Sequence, residues 1–443
     1  MTALTDAKHS PTAVDALGRR GVILPRPELV VIGPEVALDR IAAGAVLHPF
    51  TQLRGERTHI GAGAEIGEGG PAMLEDCWVS AGARIGTMGP VTLRRVTVGP
   101  GTVLGSGAAE DAVFIGKEVD DPAISCGMGF RVRKGSLYEE DASSAQHTDT
   151  KMTVLFPWVT LGSNVNWCDL LMAGGSGPEL GNFSEVGSGA VHFNFTPRGD
   201  KATASLLGTV SEGVFLVAQA IFIGGNASLI GPAQAAFGTV TAAGRRFSGP
   251  LQPGLHAGEA PAVPEALRPF DPAIYGSIKR VYESQVRFIG ELAALDAWYG
   301  QARALLAQGD AVLEAVYAAG RSMVRMNIME RIAQLGGMAK RMDRSSARIE
   351  RNNPTDRRIA QQRALFEAWS GIEVHLQDFA AAQEDMPDAL RHGLESSAAR
   401  HGRIYTRVIR GLDAEAIDEG RAWLAGTAIR LATEDLLARV PSL

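Results

Sequence analysis

The stretch IGAGAEIG, residues 60–67, sets the repeat from which the fold is predicted, and VGPGTVLG, residues 98–105, has the same pattern. Each places an aliphatic residue directly before Gly twice, six positions apart. An amphipathic helix would repeat at three and four residues, and a hairpin strand at two. A period of six instead predicts a hexapeptide-repeat solenoid, whose short parallel strands surround a narrow core. A Gly-rich β-sandwich is the alternative. The same pair recurs at Ile85-Gly86, Leu161-Gly162, Val186-Gly187 and Ile230-Gly231.

The chain divides into two parts that differ in glycine content. Of the 52 glycines, 15 fall in residues 251–443 and 37 in the first 250. We therefore predict a disordered tail over 1–20, a solenoid over 21–248, a Pro/Gly-rich linker over 249–272 and a helical domain over 273–443. The six-residue pattern weakens at about 106–157 and 167–185, where we expect inserted loops, which often carry the binding surface of a solenoid.

Composition excludes several classes of function. The net charge of −6 and the pI near 5.9 argue against a general nucleic-acid binder. No apolar run approaches the roughly 18 residues of a membrane span, and the first residues lack the order of a signal peptide. The three cysteines are widely spaced and are interpreted as reduced thiols. We expect a cytoplasmic protein.

The second part of the chain has helical periodicity. Apolar residues alternate spacings of four and three from Ile274 to Leu306, a heptad pattern that requires a partner helix. Methionines between Met323 and Met342 are more typical of an adaptable core than of a cofactor site. This pattern predicts an α-helical bundle that packs on the solenoid, joins subunits or recruits a protein partner.

The polar residues of the first part concentrate between Gln146 and Gly208. Short apolar runs here alternate with two histidines, asparagine pairs and several cations. A buried polar group without a partner costs on the order of 1–3 kcal/mol. These side chains are therefore expected to line a groove or to surround a ligand, which makes this stretch the best candidate site.

The stretch GVILPRPELVVIGPEVALDRIAAGAVLHPFTQLRGERTHIGAGAEIG, from Gly21, resembles the start of a known acetyltransferase domain. The domain is that of the bifunctional UDP-N-acetylglucosamine pyrophosphorylase/glucosamine-1-phosphate N-acetyltransferase family. The resemblance continues in GNFSEVG, HFNFTPRGDK and FIGGNASLIGPAQAAFGTVTAAG and covers about residues 21–247. It implies a left-handed parallel β-helix, a homotrimer with sites between neighbouring subunits, and acetyl-CoA as co-substrate. We expect neither the family's uridylyltransferase half nor its metal.

The resemblance also implies roles for particular residues. The family's Ala-x-His, whose His is the general base, is similar to Ala145-Gln146-His147. Its phosphate-binding lysine corresponds to Lys134, with Arg133 adjacent. Its Asn-Tyr and following Lys are similar to Asn194-Phe195 and Lys201, and its cofactor-groove Gly-Ser-Asp to Gly224-Gly225-Asn226. The hydroxyls of the family's Tyr and Ser are therefore missing at Phe195 and Gly225.

The residue types themselves suit acyl transfer. A neutral imidazole can take the proton from an amine that attacks a thioester, and His147 is the first candidate. An alternative register makes His192 that base. Asn194 is a candidate donor to the thioester carbonyl. Lys134, Arg133, Lys151, Lys201 and Arg198 are candidate ligands for a phosphorylated sugar or for the phosphates of coenzyme A.

Two functions follow from these observations. The first is an N-acyltransferase that uses an acyl-CoA, with acetyl-CoA as the expected donor. Its acceptor is an amino sugar of the UDP-N-acetylglucosamine pathway that is either phosphorylated or nucleotide-linked. The second is a non-catalytic β-helical scaffold or sugar-nucleotide-binding protein whose helical domain recruits a partner. Phe195 and Gly225 favour the second. The spacing of the histidines predicts no metal site.

Overall fold

The computed structural model describes residues 11–118, 124–257, 271–276, 278–381 and 384–433 of the chain. These residues form a parallel β-solenoid of about 12 turns followed by a helical region of eight helices. Each coil has three faces, and each strand pairs in parallel with a strand of the next coil, as Ile66 does with Ile85 and Ile85 with Leu104. The predicted solenoid is confirmed, and the β-sandwich alternative is wrong.

The strands of each face stack in a ladder along the solenoid. Face 1 holds β2 (Val46–Leu47), β5 (Glu65–Ile66), β8 (Arg84–Ile85), the starts of β11 (Val103–Glu110) and β13 (Cys126–Val132), β15 (Ser143–Ser144), β17 (Thr160–Leu161), β19 (Glu185–Val186), β22 (Phe222–Ile223), β24 (Thr239–Thr241) and β26 (Gly254–His256). Face 2 holds β1 (Val31–Ile32), β3 (Thr51–Arg54), β6 (Ala72–Glu75), β9 (Val91–Arg94), the ends of β11 and β13, the starts of β16 (Asp149–Leu155) and β18 (Asn166–Met172), β20 (Val191–Phe193), and the starts of β23 (Ser228–Ala235) and β25 (Arg246–Leu251). Face 3 holds β4 (His59–Ile60), β7 (Trp78–Val79), β10 (Thr97–Val98), β12 (Ala112–Phe114), β14 (Ser136–Tyr138), the ends of β16, β18, β23 and β25, and β21 (Ser205–Leu207).

Three corners separate these faces. The first corner joins face 3 to face 1, the second joins face 1 to face 2, and the third joins face 2 to face 3. The aliphatic residue of each repeat points inward, so Leu47, Ile66, Ile85 and Leu104 are fully buried in one column. The core therefore consists of stacked side chains that no single coil could bury alone.

The predicted insertions are only partly right. Strands β11 to β16 continue the coil through most of residues 106–157, where a long loop was expected. The six-residue pattern is invisible there because the inward positions carry Cys126, Tyr138 and Ser144 instead of aliphatic residues. The insertions lie at 173–184, 194–204 and 208–221. Because of them, Thr160, Glu185 and Phe222, which pair in successive coils of face 1, lie farther apart along the chain than the paired residues of the regular coils.

The predicted boundaries also change. Residues 11–20 of the expected disordered tail are ordered, since helix α1 (Pro11–Arg19) buries Leu17 completely. Residues 1–10 lie outside the described part. The solenoid continues past the expected end at 248, because β25 extends to Leu251 and β26 to His256. The rest of the predicted linker, over 258–270, is also outside the described residues.

The helical region packs around one central helix. That helix, α3, buries Phe288, Leu292 and Leu295 of the predicted heptad pattern and packs against α5 and α10. The partner helices therefore belong to the same chain. The helices are α2 (Val210–Gly213) within the solenoid, and then α3 (Lys279–Trp298), a π-helical turn (Tyr299–Arg303), α4 (Ala304–Ala307), α5 (Ala311–Lys340), α6 (Met342–Asn352), α7 (Arg358–Ala381), α8 (Asp388–His401), α9 (Tyr405–Arg410) and α10 (Ala414–Thr433).

Helix α5 covers part of face 3, lying against β10, β12 and β14. Asn327 of this helix donates to the Gly135 carbonyl at the third corner. Arg331 is fully buried and pairs with Asp169, two coils further along the solenoid at the same corner. This position of α5 leaves the second corner, between faces 1 and 2, for the candidate site. Within the described residues, no helix is both long and apolar enough to cross a membrane.

Candidate functional site at the second corner

The second corner of the solenoid is built from residues with left-handed backbone. His147, Asn164 and Asn226 have φ values of 57°, 59° and 52°. Gly129 and Gly189 occupy the same corner in other coils, with φ values of 72° and 74°. Left-handed backbone favours Gly and Asn, so His147 holds a position that these residues usually occupy.

His147 is held at this corner by its backbone and by the coil before it. Its N–H donates to the Met128 carbonyl at 2.8 Å. Its ring lies over Gly129, where a Cβ atom would come within 2.5 Å of Nδ1. The side chain is exposed, and no described side chain hydrogen bonds to its ring. The imidazole is therefore accessible to a ligand.

An elongated groove of about 740 Å³ runs along this corner and contains His147. We call it the His147 groove. Backbone hydrogen bonds join its coils in order, because Asn164 donates to the Gln146 carbonyl and Gly189 to the Ser163 carbonyl. Its volume is in the range of small-molecule sites. The lining residues are Met88, Ile124, Gly127, Met128, Ser143, Ser144, Ala145, Gln146, His147, Thr160, Leu161, Gly162, Ser163, Glu185 and Ser188.

A second cavity, of about 450 Å³, lies on face 2 and is rich in cations. It shares strands with the His147 groove, because β13 runs from Gly127 in the groove to Val132 in this cavity. Within the described residues, Lys134 and Lys151 have no ion pair. We call this the cationic cavity, and it suits a phosphate group. Its lining residues are Thr92, Arg94, Ala108, Ala109, Glu110, Arg131, Val132, Arg133, Lys134 and Lys151.

Carboxylates already neutralise part of this cavity. Arg133 donates to Asp149 at 2.6 Å and also to the Cys168 thiol at 3.1 Å. Arg94 lies 3.3 Å from Glu75. Burial is the largest effect on the Cys168 thiol and raises its pKa, although the Arg133 charge lowers it. Of the predicted cations, Lys134 and Lys151 are therefore the better candidates for an incoming anion.

Asn194 lies at the third corner, on the far side of face 2 from His147. Its side-chain amide donates to Asp169, which also pairs with Arg331 at 2.5 Å. The hydroxyl of Thr203 donates to the Asn194 carbonyl. In one chain, His147 and Asn194 therefore do not line a common cavity, and Asn194 supports the contact between solenoid and helical region.

The loop that carries Arg198 and Lys201 also contacts the helical region. Arg198 donates to the Ile274 carbonyl at 2.9 Å, and the Lys201 carbonyl accepts from Arg331. Asp200 is buried and accepts from the Tyr275 hydroxyl at 2.9 Å. Neither cation lines the cationic cavity. The backbone and side-chain contacts of this loop dock it on the helices.

The predicted cofactor residues are divided between two locations. Phe195 is well exposed at the start of the 194–204 loop. Gly225 and Asn226 lie at the second corner one coil beyond Ser188 of the His147 groove, where Asn226 donates to the Ser188 carbonyl. A Cβ atom at Gly225 would lie 3.2 Å from that same carbonyl. Only Gly225 and Asn226 are therefore near the groove.

His192, the alternative base, is enclosed in the solenoid. Its Nδ1 lies 2.5 Å from the Cys168 carbonyl and its Nε2 lies 2.7 Å from the Ser205 hydroxyl. Burial lowers the pKa of its imidazole to about 4. A carbonyl can only accept, so Nδ1 carries the proton and Nε2 accepts from Ser205. His192 therefore suits a structural role better than proton transfer with a ligand.

Sequence reasoning missed several residues of both cavities. Met88 and Met128 of the groove, and Arg94 of the cationic cavity, come from coils that were treated as repeat or loop. No signal in the sequence predicts that Arg94 and Arg131 line one cavity, because their alignment depends on the number of residues in the intervening coil. Within the described residues, no cluster of three or more His, Cys, Asp and Glu could hold a metal ion.

Comparisons with known proteins add no assignment. No family model matches this chain, and no curated protein matches it significantly. The class that the fold defines is a parallel β-solenoid protein with a helical C-terminal region, which carries a groove and a cationic cavity on adjacent surfaces.

Proposed function

We propose that this protein is an acyl-CoA-dependent N-acyltransferase of left-handed β-helical architecture that acts on an amino sugar in the cytoplasm. One observation carries the proposal: the accessible His147 imidazole lies in a groove whose strands lead into a cavity lined by Lys134 and Lys151. A base and an anion site on the same strands suit an amine substrate that bears a phosphate.

The proposed reaction needs one proton acceptor. Neutral His147 takes a proton from the free amine of the sugar as the amine nitrogen attacks the thioester carbon. The new C–N bond forms, the C–S bond breaks, and the proton passes to the departing thiolate. Ser163, Ser188 and Glu185 in the polar end of the groove would bind sugar hydroxyls. The phosphate would lie in the cationic cavity.

Exposed apolar residues beside the groove support the homotrimer that the proposal includes. On face 1, Phe222 pairs with Val240 and Val240 with Leu255, and all three side chains are exposed. Face 2 exposes Phe193. An apolar ladder on face 1 and an exposed Phe193 on face 2 suit contact between face 1 of one subunit and face 2 of the next.

A non-catalytic scaffold remains the second candidate, and specific contacts favour it. The Asn194 amide and the loop of Arg198 are used to dock the helical region. No described side chain orients the His147 ring, as an orienting partner would in a catalytic pair. In this function the groove would bind a sugar nucleotide without turnover.

A thiol-release assay with acyl-CoA and a panel of amino sugars and their phosphates tests the proposal. His147→Asn removes the base but keeps a residue that tolerates left-handed backbone, as Asn164 and Asn226 do at this corner. We expect turnover to fall by at least 100-fold, which is the usual contribution of a general base, with an unchanged circular dichroism spectrum.

The matched control is His392→Asn, which changes an exposed histidine of α8. It should retain wild-type turnover. Equal turnover of wild type and His147→Asn would remove His147 from the mechanism. If the wild type releases no thiol with any amine but binds a sugar nucleotide, the scaffold function is correct.

A further inference from the structure

The His147 groove has different chemistry on its two sides, and this difference defines a substrate. On one side of His147 lie Met88, Ile124 and Met128. On the other side lie the polar residues Ser163, Glu185 and Ser188. The coils stack in this order, because Ser106 pairs with Met128 and Met128 accepts from the His147 N–H. A ligand at His147 therefore has an apolar and a polar direction.

The methionines of the apolar side are unusually exposed for their type. Met88 is 44% exposed and Met128 is 50% exposed. The coil between them presents Ser106, whose Cβ lies 3.3 Å from the position that a Cβ of Gly89 would take. Two long, adaptable side chains with a small residue between them form a recess for an apolar chain.

The length of this side limits the chain that it can hold. Met88 and His147 are three coils apart, since the coils of Ser106 and Met128 lie between them. At about 4.8 Å per coil this is roughly 14 Å. An extended alkyl chain advances about 1.25 Å per carbon, as follows from a C–C bond of about 1.5 Å. The apolar side is therefore about as long as an 11-carbon chain.

We propose that the transferred group is a medium-chain acyl group, of roughly 8 to 12 carbons, which extends from its thioester carbonyl at His147 past Met128 to Met88. This inference rests on the proposed function and specifies its donor. The chain is transferred intact: the C–S bond breaks, the C–N bond to the acceptor forms, and the proton taken by His147 passes to the thiolate. The polar side then holds the sugar.

A chain-length series tests the proposal. Thiol release by the full chain is measured with acetyl-, butyryl-, octanoyl-, decanoyl-, dodecanoyl- and palmitoyl-CoA. Burial of methylenes contributes about 0.8 kcal/mol each, or nearly 4-fold, when complete. Because the recess is open to solvent, we expect kcat/KM for decanoyl-CoA to exceed that for acetyl-CoA by at least 10-fold and to fall again for palmitoyl-CoA.

Met128→Gln and Met88→Gln keep the length of the side chain but make it polar. Each should lower the decanoyl-to-acetyl ratio of kcat/KM by at least 5-fold. Leu180→Gln is the control, since Leu180 is 91% exposed on the 173–184 loop and does not line the groove. It should leave the ratio unchanged. A ratio that is the same in all four proteins overturns the proposal.

Binding separates failure of the inference from failure of the proposed function. Calorimetry with the His147→Asn variant compares decanoyl-CoA with coenzyme A alone. Tighter binding of decanoyl-CoA that is lost with Met128→Gln supports the acyl recess, even if no acceptor is turned over. Turnover with acetyl-CoA as the best donor keeps the enzyme but overturns the medium-chain donor. Equal binding of decanoyl-CoA and coenzyme A, without turnover, overturns both.

Discussion

Arg303 is fully buried between the solenoid and the helical region. It donates to both carboxylate oxygens of Glu140, at 2.5 and 2.9 Å, and lies 3.2 Å from Glu139. The ring of Tyr405 lies 3.7 Å from its guanidinium carbon. Removing one member of such a buried pair typically costs 3–5 kcal/mol, because the other charge is left without a partner. This cluster therefore fixes the two parts of the chain in one arrangement.

Glu118 is the titratable residue of this interface with the clearest pH effect. It accepts hydrogen bonds from the backbone N–H groups of Tyr405 and Thr406 at the start of α9. Burial, followed by the charge of Glu140, raises the pKa of Glu118 to about 7. The folded state therefore binds this proton more tightly than the unfolded state. The resulting stability is present below about pH 4.5 and is lost as the pH rises to 7.

Glu118→Gln should remove this pH dependence. We expect the free energy of unfolding of the wild type, minus that of the variant, to decrease by about 1–3 kcal/mol between pH 5 and pH 7. Urea unfolding at pH 5, 6 and 7 measures it. Other groups, including His192, titrate in both proteins and cancel in the difference. Parallel pH profiles would contradict the assignment. Glu395→Gln changes an exposed carboxylate of α8 and tests whether loss of any carboxylate has the same effect.

At the scale of elements, the packing of one coil on the next explains the glycine of each repeat. A Cβ atom at Gly61 would lie 2.5 Å from the backbone of Ala81, and one at Gly162 would lie 2.6 Å from Ser188. The aliphatic residue before each glycine fills the core, and the glycine lets the next coil approach. This is why the six-residue pattern predicted the solenoid well where it was regular.

Gly187→Ala tests this explanation at the second corner. The added Cβ would lie 2.3 Å from the backbone nitrogen of Gly225, so the two coils must separate. We expect a loss of about 1–3 kcal/mol in the free energy of unfolding, which is the usual cost of overpacking. Denaturant unfolding measures it.

Gly18→Ala provides the matched control for this substitution. Gly18 lies in α1, and no heavy atom comes within 4 Å of its added Cβ. Alanine should be neutral or stabilising there by up to about 1 kcal/mol, since it has the higher helix propensity. Equal destabilisation by both substitutions would show that close coil approach is not the cause.

At the scale of the whole molecule, helices cover part of face 3, and faces 1 and 2 remain open beside the second corner. The apolar ladder of Phe222, Val240 and Leu255 on face 1 supports the proposed homotrimer. Its outermost residue, Leu255, is 73% exposed. An exposed side chain of this type contributes most when a partner subunit covers it.

Leu255→Glu should therefore weaken the proposed homotrimer without unfolding the chain. We expect light scattering after size exclusion to give the trimer mass for the wild type and the monomer mass for the variant at low micromolar concentration. A buried unpaired charge at an interface is strongly unfavourable. Leu180→Glu changes a still more exposed leucine away from the ladder and should remain trimeric. A monomeric wild type would contradict the homotrimer itself.

Sequence alone determined the solenoid and the helical character of the second part. Both depend on spacings of apolar residues that are local along the chain, such as Ile60 to Ile66 and Phe288 to Leu292. Sequence also selected His147 and Lys134, which the structure has in adjoining cavities. It misjudged residues 106–157, where inward polar side chains hide the repeat.

Only the tertiary structure decided which residues share a cavity. Met88 and His147 meet on one groove, and Arg94 and Lys151 on one cavity, because each coil returns to the same corner after a variable number of residues. Asn194 was assigned to the site with His147, yet one face of the solenoid separates them. The length of each coil and insertion sets this alignment, and it is a property of the stacked chain rather than of any local stretch.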